Sequence, residues 1–253
     1  MLARQWLANT RAVLDRLEST QLDNVRRAAS LMADSIAAER WVHTFGCGHA
    51  TIPVEEMYPR IGGFVGFHPM VELPLTFFTR ITGEMGIHQF LFLERAEGYG
   101  REIMKSWSFD PRDTMWIFSH TGINNVNIDI ALRAKELGMR VVATGSAREM
   151  AQATSRHSSG KKLFELADVV IDSCVPAVDA SVPLANHFDK VGPISTMGFV
   201  AVVWMTITTV AELLAERGVR LHIHPSHNIA GDTTARERLD AALAEYKRRV
   251  AGL

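Results

Sequence analysis

Residues Met115 to Ser146 read MWIFSHTGINNVNIDIALRAKELGMRVVATGS, and this stretch decides the fold. The apolar run Met115 to Phe118 stops abruptly at Ser119-His120-Thr121-Gly122. Asn124 and Asn125 then open a segment with apolar residues at Val126, Ile130, Ala134 and Leu137, a helical spacing. Gly138 follows the last periodic residue, as at a helix stop. A second apolar run, Val141 to Ala143, ends in Thr144-Gly145-Ser146. The order strand, loop, helix, strand is a βαβ unit, which predicts a parallel sheet with a right-handed crossover.

In an open parallel sheet, ligands bind outside the carboxyl ends of the strands. Ser119, Thr121 and Asn124 put short donor side chains there, just ahead of a helix start, and Gly122 permits close approach or a positive φ. Exposed amides and the helix dipole favour an anion at such a place, and phosphate is the anion this predicts. The loop has no lysine, so it is not a P-loop, which ends in Gly-Lys-Ser/Thr. The same residues also fit a hydroxyl-capped helix behind a polar loop with no ligand.

The rest of the composition narrows the class. The 253 residues suit one large α/β domain or a domain with extensions, and an apolar content of 47% supports a sizeable core. A net charge of -1 points to neither nucleic acid nor an acidic membrane surface as a partner. Two cysteines, Cys47 and Cys174, are too few for a disulfide framework and suggest a reducing compartment. The opening MLARQWLANTRAVLDRLEST has charges throughout and no continuous apolar run, so it does not read as a secretory signal, and a cytoplasmic location is expected. Met197 to Leu214 is long and mostly apolar but carries Thr206, Thr208, Thr209 and Glu212. It reads as a buried core or interface helix rather than a membrane span. Its apolar surface exceeds what one sheet face covers, which predicts a homodimer or homotetramer.

Taken in order, residues 2 to about 40 predict two helices broken near Ser19-Thr20, with Leu14, Leu17, Leu22, Val25, Ala28, Ala29, Met32 and Ile36 on the apolar side. Trp41 to Phe45 is a strand running into Gly46-Cys47-Gly48-His49-Ala50-Thr51. That loop lacks the third glycine and the acid of a dinucleotide fingerprint, but it is the first of two similar strand-to-helix loops. Pro53 starts a helix carrying Glu55 and Glu56 that ends near Gly62-Gly63, and Phe64 to Phe67 is the second strand. Residues 68 to 93 read as a long connection with a short helix, and Leu93 to Trp107 as a helix weakened by two glycines. Val169 to Asp172 is a fifth strand, residues 173 to 194 a long loop with Asp179 and His187, Leu221 to Ile223 a short edge strand, and Asp232 to Val250 a terminal helix. No repeat or linker divides the chain.

FGCGHA at 45–50, SHTGINN at 119–125 and the βαβ unit together resemble the sugar isomerase (SIS) domain family of phosphosugar-binding proteins. LMADSIAAERWVHTFGCG at 31–48 resembles its sedoheptulose 7-phosphate isomerases; SRHSSGKKLFELADVVID and GPIST are closer to an uncharacterised bacterial group. The resemblance covers roughly residues 25 to 215. It implies a three-layer αβα sandwich of flavodoxin-like type with a five-stranded parallel sheet. The whole chain is then one such domain, with an N-terminal helical extension (about 1–40) and a C-terminal helix (about 232–250). A phosphosugar would be held by the second loop, near a subunit interface.

On that resemblance Ser119, Thr121 and Asn124 hold the phosphate, with Gly46, Gly48, His49, Thr51, Gly122 and Ser195 completing the binding set. Glu56 matches the glutamate that serves as base in the heptose isomerases. Two departures stand out: Cys47 and Ala50 replace serines of many members, for which Thr51 compensates, and STMGFV at 195–200 lacks the family's helix histidine, which His187 replaces, while His49 donates to a sugar oxygen. A carboxylate beside a carbon α to a carbonyl can abstract its proton; as an alternative, Glu56, like Glu55, is a solvated helix acid. His222, His224 and His227 form His-x-His-x-x-His, but Pro225 interrupts it and no cysteine is near, so an edge strand or interface is preferred to a metal site. Two functions follow. One is an aldose–ketose isomerase or epimerase working through an enediol with no cofactor. The other is a phosphosugar-sensing module that regulates a partner.

Overall fold

A computed structural model of the chain describes residues 1–57, 59–76, 86–226, 228–229 and 231–253. Helix α1 (Leu2–Ala37) leads into β1 (Val42–Gly46), a 3-10 turn (Gly48–Thr51) and the single-turn α2 (Ile52–Glu55). Next come β2 (Phe67–Pro69), α3 (Leu73–Thr76), α4 (Ile87–Leu93) and α5 (Tyr99–Met104). The deciding stretch forms β3 (Thr114–Phe118), α6 (Asn125–Glu136) and β4 (Arg140–Gly145), the βαβ unit its spacing predicts. The chain continues through α7 (Ala147–Gln152), α8 (Leu163–Leu166), β5 (Val169–Asp172), α9 (Ser195–Glu216) and α10 (Ala235–Val250).

The five strands are all parallel, in the order β2-β1-β3-β4-β5. Val42 pairs with Thr114 and Gly46 with Phe118, so β1 and β3 end level with each other. The chain leaves β1 toward β2 on one side, while β3 lies on the other. Their two following loops therefore flank the topological switch point of the sheet, where a crevice forms.

Alternation along β3 builds the two cores. Trp116 and Phe118 face α1 and α9, among Leu17, Met32, Phe199 and Val203. Met115 and Ile117 face the other way, among Ile103, Val126, Ile130 and Ala134 of α5 and α6. Among the described residues α9 is the single helix long and apolar enough to cross a membrane. Its buried side, including Phe199, Val202, Val203 and Val210, belongs to the same core as α1, which makes it a core helix.

Several boundaries differ from the sequence expectation. No break occurs at Ser19-Thr20: α1 is one helix of 36 residues. Ser19 Oγ donates to the Asp15 carbonyl at 2.8 Å and Thr20 Oγ1 to the Arg16 carbonyl at 2.6 Å, so the hydroxyls satisfy themselves inside the helix. Leu14 and Leu22 stay exposed while Val13 and Leu17 are buried. The second strand begins at Phe67, later than expected, because Phe64 is drawn into an antiparallel bridge with Ile223. That bridge is all that forms of the expected strand at 221–223. Helix α2 closes after one turn at Glu55, and Gly98, in the left-handed region, delays α5 to Tyr99.

Candidate functional site

The loops after β1 and β3 and the start of α9 enclose a cavity of about 170 Å3. From the first loop it takes Cys47, His49 and Ala50, and from the second Ser119, His120, Thr121 and Asn124. Asn127 of α6, Asp179, Ser195 and Phe199 complete it. A larger hollow of about 430 Å3, bordered by Ile61, Arg220, His222, Ile229 and Arg238, shares none of these residues. The smaller one is the site candidate because it alone gathers strand-end amides and hydroxyls at the switch point.

Ser119 Oγ accepts the Gly122 amide at 3.0 Å, which folds the loop back and leaves the hydroxyl proton available to an acceptor. Gly122 has φ +64, which strains any residue with a Cβ, and a Cβ there would lie 2.3 Å from Met150 Sδ, which would have to move. In the first loop, Gly48 has φ +60 and its missing Cβ leaves room for the Phe90 ring. Thr51, also buried, donates to the Gly46 carbonyl at 2.9 Å. Gly46, Gly48, Thr51 and Gly122 thus shape the two loops rather than line the cavity.

Asn124 precedes α6 but makes no side-chain cap bond. Its amide nitrogen donates to Glu94 Oε2 at 2.6 Å, and its oxygen accepts from Arg156 Nη1 at 2.8 Å. Burial pushes the Glu94 carboxyl above its ordinary range, against the pull of Arg95 and Arg156. Burial, helped by Glu94, also raises the Cys47 thiol well above its usual value, so Cys47 stays protonated and donates to Asn127 Oδ1 at 3.6 Å.

Among the cavity residues not singled out from sequence for a role are His120 and Asp179. His120 Nε2 lies 3.2 Å from the Ala177 carbonyl, which can only accept, so Nε2 carries a proton; Nδ1 is buried and, among the described residues, without a partner. Its signal was its place between Ser119 and Thr121. Asp179 Oδ1 accepts the amides of Ile194 and Ser195, each at 2.9 Å, and its Oδ2 accepts the Ser195 hydroxyl. No local pattern announces that bond, because it spans a long loop.

Of the residues expected in the site, His49, Ser119, Thr121, Asn124 and Ser195 line the cavity. Glu56 and His187 do not line it within one chain. Glu56 sits just past α2, its Oε1 3.0 Å from Arg60 Nε and 3.2 Å from the donating Trp204 Nε1 of α9. His187 is exposed on the loop between β5 and α9, whose base is tied to α1 by Asn9 Nδ2 on the Ser181 carbonyl and Trp6 Nε1 on the Pro193 carbonyl. His222 and His224 lie on the segment paired with residues 63–65, and His227 falls outside the described residues. Among the described residues, no three His, Cys, Asp or Glu side chains gather where a metal ion could be held.

Known proteins share this architecture. A phosphoheptose isomerase from Neisseria gonorrhoeae superposes with a TM-score of 0.54 at 13% identity, over 81% of this chain and 94% of that one. Its counterpart from Francisella tularensis gives 0.53 at 11% identity, over 83% and 96%. At such identities the likeness concerns the fold. In sequence, a UPF0309 protein of Oceanobacillus iheyensis is 35% identical over 218 residues, 86% of this chain and 87% of its own length. One from Thermoanaerobacter pseudethanolicus is 30% identical over 241 residues, 94% of each chain. Residues 5–146, more than half the chain and including both strand-end loops, match the family described as SIS domain, and the chain belongs to that family.

Proposed function

We propose that this chain binds a sugar phosphate at the switch-point cavity and is an aldose–ketose isomerase or epimerase. The observation that carries the reading is the start of α6. Its leading residue, Asn124, spends its side chain on Glu94 and Arg156, leaving the helix without a side-chain cap at the very place where Ser119 and Thr121 line a cavity. A phosphate seated there meets helix-start amides and hydroxyl donors together. The cavity is smaller than the about 300–1,000 Å3 of common ligand clefts, so the sugar extends out of it. The named solved neighbours being phosphoheptose isomerases, and the family a phosphosugar-binding one, support the same ligand class.

In the isomerase reading, Glu56 takes the proton from the carbon beside the carbonyl, through an enediol. Glu56 is bonded to Trp204, which belongs to a half-exposed stripe on α9 with Met197, Ala201 and Met205. A second copy covering that stripe, in a homodimer or homotetramer, would enclose Glu56 as well and bring it to a site. His187 would enter in the same way, from its exposed loop. Both cysteines are free and buried, in keeping with a cytoplasmic protein.

The turning of Glu56 onto Arg60 and Trp204, away from the cavity, favours a second reading: a phosphosugar sensor without turnover. One experiment separates them. Pentose, hexose and heptose phosphates are incubated with the protein in deuterium oxide, and both binding and exchange at the carbon next to the carbonyl are followed by NMR. Exchange supports the isomerase; binding without exchange supports the sensor; no binding of any of them overturns both.

A further inference from the structure

Two helix starts border the same cavity, and they are finished differently. The start of α6 lacks a side-chain cap, as described. The start of α9 is closed by the chain itself: the Asp179 carboxylate takes the Ile194 and Ser195 amides and the Ser195 hydroxyl. An incoming phosphate is therefore favoured at α6 and repelled at α9, whose dipole and donors are already answered. With the phosphate on the β3 loop, the α9 wall is left for the sugar.

Among the described residues, no lysine or arginine lines this cavity to offset Asp179. Arg156 sits behind Asn124, already bonded to its oxygen. A carboxylate has room for about four hydrogen bonds, and three of those of Asp179 are taken inside the chain. What remains is an acceptor and a negative charge on the cavity wall. It can receive a sugar hydroxyl or an ammonium, and it opposes a second anion.

We infer that Asp179 is a specificity-determining residue. It makes the site select phosphorylated sugars whose sugar part is neutral or carries an ammonium, over those bearing a carboxylate. The assignment rests on the phosphosugar reading given above.

The test is a charge series on one carbon skeleton: glucosamine 6-phosphate, glucose 6-phosphate and 6-phosphogluconate, titrated calorimetrically into the full chain at neutral pH. One unit charge near another in a partly screened site changes affinity by about tenfold. Wild type is expected to bind the ammonium sugar best and the carboxylate sugar at least about tenfold more weakly than the neutral one. Asp179→Ser, which keeps an oxygen able to cap a helix, should bring the three within about threefold of one another, as removal of that charge requires. Asp179→Asn, the isosteric variant, should do the same, and thermal melts identify either variant that fails to fold. Equal wild-type affinities for the three, or an unchanged order in a folded variant, overturn the assignment while leaving the phosphosugar reading standing. Failure of wild type to bind any of the three, or inorganic phosphate, overturns the reading and the assignment together.

Discussion

On the amino-terminal side of the sheet, polar side chains close on one another. Asp113 accepts from Arg40 Nε and Nη2, each at 3.0 Å, from the Trp41 amide at 3.0 Å and from the Asp110 amide at 2.7 Å. His43 Nε2 lies 3.3 Å from Asp113, and its Nδ1 is 3.0 Å from Nδ1 of His68. At the carboxyl ends of the same strands, Ser119, His120, Thr121 and Asp179 face a cavity, and among the described residues one His120 nitrogen has no partner. The first arrangement spends its central carboxylate on four donors inside the fold; the second turns hydroxyls and a carboxylate toward a cavity. Buried polar groups normally find partners inside the fold, so side chains spent on one another mark the first end as structural, while those that face a cavity make the second the candidate for binding. Substitutions should sort the same way, into losses of function and losses of stability.

The largest effect is expected from Glu56, which belongs to neither group in a single chain. If a second copy completes the site, Glu56→Gln should lower turnover about a hundredfold to ten-thousandfold, the range of a positioned general base, with little change in phosphosugar affinity. Glu55→Gln is the control and should leave turnover nearly intact. Sedimentation supplies the other half of the test: wild type should be an oligomer at micromolar concentration, and Met197→Asp, placing a charge on the α9 stripe, should shift it toward monomer and lower turnover with it. A stable, active wild-type monomer would remove the need for a second copy.

Asp113→Ala comes next and should act on stability alone. It leaves Arg40, the Trp41 amide and the Asp110 amide without their acceptor in a fully buried place. Breaking such a pair costs about 3–5 kcal/mol, a fall in Tm of on the order of 10 °C for a chain of this size. Phosphosugar affinity of the folded fraction should be unchanged. A loss of affinity at low temperature, where the variant is folded, would show that the two ends are coupled.

The same contrast explains what could be read from the sequence. The βαβ unit was legible because its signals are local: an apolar run, a polar stop, helical spacing and a second run, all within Met115–Ser146. The two strand-end loops were legible for the same reason. The supposed break at Ser19-Thr20 misled because both residues favour helix ends in isolation, whereas here their hydroxyls bond back to carbonyls one turn earlier. Asp179 and Asp113 were not singled out because their partners come from other segments. Asp179 meets Ser195 across a loop, and Asp113 meets His43 from the neighbouring strand. The resemblance pointed to Glu56 but carried no information on which chain's cavity it serves.

Thr121→Ala tests the binding end with a smaller effect. A hydrogen bond to a charged group contributes about 1.5–3 kcal/mol, so affinity for a phosphorylated sugar should fall tenfold or more by the same principle. The weak binding of the free sugar should not change. Because Thr121 lines the cavity rather than the core, Tm should move by less than about 2 °C, the usual range for surface substitutions. Equal losses for sugar and sugar phosphate would mean that the loop does not read phosphate.

The smallest effect is a pH dependence that belongs to the structural end. Burial lowers His68 to about 3, reinforced by the neighbouring His43 and opposed by Asp113. Burial likewise lowers His43, against Asp113. The His68 ring stays neutral in the fold, and both rings take up protons more readily in the unfolded chain, near the ordinary value of about 6.5. The unfolded state thus binds more protons below that pH, and stability falls as the solution is acidified. Asp113 adds nothing in this window: burial raises its carboxyl, but bonds from His43, Arg40 and the Trp41 amide outweigh that and hold it at about 2. A histidine that stays neutral on folding costs about 0.7 kcal/mol between pH 7 and pH 6. Urea melts at those two pH values should show wild type losing about that amount for His68, with a further loss of the same sign from His43. His68→Phe, which keeps an aromatic ring against Trp41 and Trp107, removes that titration and should lower the loss by about 0.7 kcal/mol. An unchanged loss in that variant would move the acid sensitivity away from the Asp113 cluster, to histidines elsewhere in the chain.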